Sequence, residues 1–213
     1  MIIRVLPLVV GLLPIIGVTT AYLISVRAGT VPACMPLLDG CTSISATGRY
    51  APGNVPFAAA LLPQAVFLSL LWWCSAAWLR QVAPAARSAS IIVVVCGLTG
   101  AVALVLYVAF LGTKQPFYEF MRHFGIYFYF LGTAVSQLLL TLAMNASCLR
   151  RAMLWVILTP FGLGVVNLIQ KTIVSTPNNI ENRIEWSAAL LMQLWFLLLY
   201  FEWRKFAPTV RVR

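Results

Sequence analysis

Six stretches of this chain are each long and apolar enough to cross a bilayer, and that fact removes most folds from consideration. They run at about 5–25, 57–79, 90–112, 124–146, 152–173 and 186–203. A helix rises about 1.5 Å per residue, so roughly 20 apolar residues cover the hydrocarbon core. Inside that core every backbone polar group needs an internal partner, and runs of this length meet the need as helices. The sequence therefore predicts an all-α fold: a polytopic bundle of six transmembrane helices forming one integral membrane domain over 1–213. The first run also resembles a signal sequence, with small residues around Arg27. Its length exceeds the usual ~7–15 residues of a signal core, so a retained helix is expected.

Composition decides the class of partner. The chain is 62% apolar and 9% charged, against about 45–50% and about 25% in average soluble domains. A net charge of +10 would suggest nucleic acid in a soluble protein. Here the basic residues flank apolar spans, as cytoplasmic ends do, and no nucleic-acid partner is expected. With the amino terminus inside, nine of the 15 basic residues face the cytoplasm: Arg4, Arg80, Arg87, Arg150, Arg151, Arg204, Lys205, Arg211 and Arg213. Arg27, Arg49, Lys114, Arg122, Lys171 and Arg183 fall outside. Both termini are thus expected to be cytoplasmic, and the loop at 26–56 exoplasmic.

That loop is the longest polar interruption, with four prolines and four glycines between positions 27 and 56. Long irregular loops in compact proteins usually serve function or act as lids. Cys34 and Cys41 enclose six residues on the oxidising side, which favours a disulfide, with two unpaired thiols as the alternative. Ser43 and Ser45 have no G-x-S-x-G elbow around them, so capping or turn roles compete with lipid contact. Cys74, Cys96 and Cys148 read as small packing residues. The Asn145-Ala146-Ser147 sequon falls on the cytoplasmic side and is discounted. One histidine and no C-x-x-C leave no metal site, and nothing resembles a nucleotide or other cofactor motif.

No charged residue lies deep in any run, which argues against a pump or proton-coupled carrier. The mid-span polar groups are amides. Gln64 lies roughly 10 Å below the outer end of the second run. Asn167 and Gln170 lie in the outer third of the fifth, Gln193 in that of the sixth, and Gln137 deeper. Each alone reads as interhelical glue; a shared level suggests a lipid headgroup or glycerol backbone. Above that level lie His123, Arg122, Lys171, Arg183, Glu181 and Glu185. His123 and Glu185 suit a base and its orienting carboxylate, and the cations suit a phosphate; interfacial anchoring is the competing reading. Thr159-Pro160 and Gly162-x-Gly164 predict a bend and close contact in the fifth helix.

Several short motifs resemble the FRAG/DRAM/SFK six-span membrane family, which includes post-GPI-attachment lipid-remodelling factors and autophagy modulators. They are the Ser-Ile-Ser-x-x-Gly segment at 43–48 in a cysteine-bearing first loop, then Pro52 and the helix from Phe57. Arg122-His123-x-Gly125 follows, with the aromatic run Tyr127, Phe128, Tyr129, Phe130. Glu185-Trp186 and Glu202-x-Arg204-Lys205 complete the set. Some members carry Ser-Asp-Thr-Gly where this chain has Ser45-Ala46-Thr47-Gly48. The resemblance implies lipid handling: acyl-chain remodelling, control of lipid distribution, or trafficking regulation. The Ala- and Leu-rich sequence suits a bacterial inner membrane, with a eukaryotic endomembrane or plasma membrane as the alternative.

The leading expectation is a membrane-lipid-binding protein with an outer-leaflet pocket lined by Gln64, Asn167, Gln193, His123 and Glu185. Arg122, Lys171, Ser43 and Ser45 would complete the lipid contacts. A lipid acyl or headgroup transferase using His123 and Glu185 is one alternative. A non-enzymatic scaffold or assembly factor with a membrane-protein partner is the other.

Overall fold

The structure, a computed structural model, describes residues 2–83, 86–173 and 178–205. It is built from six long helices: α1 (Ile2–Arg27), α4 (Asn54–Val82), α5 (Arg87–Ala109), α6 (Pro116–Leu142), α7 (Cys148–Ile173) and α8 (Asn178–Lys205). Each contains a segment long and apolar enough to cross a membrane, which marks an integral membrane protein. Two single-turn helices, α2 (Pro36–Asp39) and α3 (Ile44–Thr47), sit in the first loop. That loop is therefore more ordered than its composition predicts.

Two boundaries differ from the hydropathy reading for one physical reason. α6 starts at Pro116 and α8 at Asn178, about two turns before their apolar runs begin. Pro116 occupies the first helical turn, where its missing N–H and fixed φ do no harm. The added turns are polar or aromatic, so an apolarity criterion does not register them. His123 and Glu185 consequently lie about two turns inside their helices rather than at the ends.

The helices form a ring in the order α1, α4, α5, α6, α7, α8, with α8 closing back onto α1. The tightest seam joins α5 to α6, and the loosest joins α6 to α7. Glycines explain the tight one. A Cβ on Gly125 would stand 2.8 Å from the Ala103 carbonyl, and one on Gly132 would run into the Cys96 carbonyl. Backbones this close admit only a hydrogen side chain.

The interior is filled by Trp72, Leu68 and Leu71 from α4 and by Trp195, Phe196 and Leu199 from α8, all fully buried. Trp72 lies 6.1 Å from Trp195 and 5.8 Å from Phe196 between ring centroids. Polar bonds tie the ring together. Gln64 Nε2 donates to the Val10 carbonyl (2.8 Å), Gln137 Nε2 to Met192 (3.1 Å) and Ser136 Oγ to Val93 (3.0 Å). Trp195 Nε1 donates to Thr141 Oγ1 at 2.9 Å. The outward faces are as apolar as the core: Trp155 is 73% exposed and Tyr127 71%. Such a surface is stable only against hydrocarbon.

Candidate functional site

The first loop is pinned to one end of the bundle by α1 and by the opening turns of α8. Tyr22 Oη donates to the Cys34 carbonyl (2.6 Å) and accepts from the Cys34 N–H (3.0 Å). Ser25 Oγ donates to the Thr47 carbonyl at 2.8 Å. From α8, Asn182 Nδ2 donates to the Gly40 carbonyl (2.8 Å) and Trp186 Nε1 to Thr42 (2.9 Å). The Glu185 carboxylate meets the backbone N–H groups of Ile44 and Ser45, amides left open at the start of α3. Gly40 closes α2 at φ +64°, with the Asn179 backbone against it, so glycine alone fits there. Cys34 and Cys41 form a disulfide, their Cα atoms 6.6 Å apart.

Beneath this roof lies a cavity of about 80 Å³ among α1, α3, α4, α5, α6 and α8. That is room for a few waters or one small polar group. Its wall is mostly apolar, with Phe57, Leu61, Leu104 and Ile126 among the lining side chains. Polar side chains interrupt it: Glu185 near the roof, then Thr19, Tyr107, Tyr129 and Gln193. Tyr107 Oη faces Ser45 but completes no hydrogen bond of good geometry, and Gln193 Oε1 likewise has no partner. Both residues are more than nine-tenths buried. Tyr129 Oη faces the Gln193 amide. Arg49, Arg122 and Glu185 lie near enough to Tyr107 to act on it electrostatically. An apolar chamber with an unpaired hydroxyl and an unpaired amide carbonyl suits a ligand that is mostly hydrocarbon with a small polar centre.

Sequence-predicted residues divide among several places. Glu185 and Gln193 line the cavity. Gln64 does not, because its amide nitrogen is committed to α1. Ser43 caps α3, its Oγ accepting from the Ala46 N–H at 3.1 Å and lying 3.1 Å from Ser45 Oγ. His123 sits in an exposed group, its Nε2 3.3 Å from Arg122 Nη2 and 3.9 Å from Glu119 Oε1. Arg122 pairs with Glu119 at 3.1 Å. Among the described residues nothing brings His123 to Glu185, whose carboxylate serves the loop instead. The side chains of Asn167 and Lys171 lie outside the described residues. Tyr107 carries no signal in the sequence, because an aromatic inside an apolar run reads as packing; Tyr129 and Trp186 enter there only within the family-like motifs, with no role of their own.

The loop latch makes a direct prediction. Trp186→Phe keeps the edge contact with Tyr22 (ring centroids 6.1 Å) but strands the buried Thr42 carbonyl. An unpaired buried acceptor costs about 1–3 kcal/mol. Amide exchange across 40–47 should accelerate by roughly tenfold, while exchange in α5 is unchanged. Equal protection in variant and parent would show that the bond does not hold the loop. No family model, curated protein or solved structure matches this chain.

Proposed function

We propose that this protein binds a membrane lipid in the outer leaflet, with the lipid's polar centre in the cavity under the first loop. The observation that carries this reading is the pair of buried, unpartnered atoms on two residues that line the chamber, Tyr107 Oη and Gln193 Oε1. Buried polar atoms without partners are costly in a native protein, and a resident ligand relieves that cost. A glycerol ester presents both a carbonyl acceptor for Tyr107 and, where a hydroxyl is free, a donor for Gln193. The short motifs shared with the FRAG/DRAM/SFK family point the same way. The transferase alternative calls for His123 at the chamber, and His123 is not among its lining residues.

The reading places both termini in the cytoplasm and the loop outside, following the distribution of basic residues. Two native features test it. Cys148 is exposed at the end of the bundle opposite the loop, and Tyr50 is exposed in the loop. With Tyr50→Cys, a membrane-impermeant maleimide should label position 50 in intact cells and reach Cys148 only after permeabilisation. The reverse order would invert the topology. For the function itself, native mass spectrometry of protein purified in mild detergent should find one lipid retained per chain. Folded protein that carries no lipid after gentle purification would end the proposal.

A further inference from the structure

The weak seam of the ring is also open toward the side. Between α6 and α7 runs a groove of about 420 Å³, walled by Leu131 and Ala134 on one side and Ile157 and Phe161 on the other. Its floor is α8, through Ala188 and Met192. The groove does not stand apart from the cavity. Phe130 and Met192 line both spaces, so two side chains form the partition. Methionine is unbranched with three rotatable bonds, which makes it the more adaptable of the two.

The groove's chemistry selects its occupant. Its walls are mainly aromatic or branched apolar side chains, with one small residue from each helix (Ala134, Gly164 and Ala188) and with Gln137 already bonded to the Met192 carbonyl. Helices that associate in bilayers use small residues and unspent polar groups at the seam, and the walls named here offer neither as a continuous stripe. A flexible hydrocarbon chain needs only apolar contact. We infer that the groove between α6 and α7 holds one acyl chain of the bound lipid and is the sideways route by which that lipid reaches the cavity. The polar centre lodges beside Tyr107 and Gln193, and the chain passes between Phe130 and Met192 into the groove and out to the bilayer. This rests on the lipid-binding reading of the cavity and adds the path.

The test uses full-length protein in nanodiscs of phosphatidylethanolamine and phosphatidylglycerol doped with a phosphatidylethanolamine carrying a mid-chain diazirine. Irradiation and peptide mapping should place label on residues 156–165 in the groove and on 14–19 or 57–61 in the cavity. Both should exceed label on Val66 and Val95, which are exposed elsewhere on the bundle. Ala134→Trp fills the groove and should cut groove label about tenfold, since each displaced ligand atom carries a fraction of the binding energy. Gly164→Phe is the second variant: no atom lies within 4 Å of its Cβ position, so it narrows the groove without a clash and should act in the same direction. Cavity label without groove label overturns the path and leaves the cavity reading standing. Groove label with none in the cavity overturns both. Groove label no higher than at Val66 and Val95 reduces the groove to ordinary exposed surface and overturns the inference.

Discussion

Replacing Tyr107 with Phe and Gln193 with Leu together is expected to lower affinity for the lipid proposed to occupy the cavity by roughly 30-fold. Each removes one hydrogen bond that the ligand would otherwise complete, worth about 1 kcal/mol net, and tenfold in affinity corresponds to about 1.4 kcal/mol. Tyr107→Phe alone should weaken binding about fivefold by the same reckoning. Its effect on the empty protein carries the opposite sign. Tyr107 Oη is buried with no partner of good geometry, so deleting it removes a desolvation cost and leaves the delipidated fold as stable or slightly more stable. Gln193→Leu lacks this property, because Tyr129 Oη faces the same amide and would lose its neighbour. The comparison of signs therefore belongs to Tyr107→Phe. Lipid retention by native mass spectrometry and thermal unfolding after delipidation check the two halves. If Tyr107→Phe destabilises the empty protein and leaves lipid retention unchanged, the hydroxyl is structural and the cavity reading loses its main support.

Gly132→Leu should destabilise the bundle strongly. Even the first atom of a side chain there collides with the Cys96 carbonyl and crowds Gly100, whose N and Cα lie 3.1 and 3.3 Å away. These are backbone atoms on α5, so relief requires the two helices to separate. Overpacking of this kind costs about 1–3 kcal/mol or more, and the midpoint of thermal unfolding in detergent should fall by several degrees. Gly162→Leu is the matched control. No atom lies within 4 Å of its Cβ position, and leucine has better helix propensity than glycine by up to about 1 kcal/mol. That variant should unfold at or above the parental temperature. Equal losses in both would mean that glycine at these positions serves something other than helix contact.

The six spans are legible in the sequence because a bilayer imposes length and apolarity on any helix that crosses it. The ends of α6 and α8 are not, since Pro116 and the polar turn at 178–185 extend the helices beyond what hydropathy detects. At the site, Gln193 and Glu185 are visible as polar groups at an unexpected depth. Their separate tasks are not, because depth along a helix says nothing about direction around it. Gln64 has a similar depth but turns to α1 and spends its amide on Val10. His123 shares a level with Glu185 yet faces Glu119 on its own helix. Tyr107 is hidden for the complementary reason: only the structure places it, with Tyr129, on the wall of a cavity. The absence of charge from the runs was informative, whereas the azimuth of each amide was not.

The latch between the first loop and α8 also orders events in time. The groups that hold the loop's middle, Asn182 and Trp186, follow the carbonyls they bind, Gly40 and Thr42, by 142 and 144 residues. At about 5–20 residues per second, a ribosome needs roughly 7–30 s to supply them. During that interval the loop has only its α1 contacts and the Cys34–Cys41 bridge to shape it. The cavity thus lacks both its α8 wall and a fastened roof until the last helix arrives. A chain assembled in this order makes its loop among the first segments and fastens it among the last.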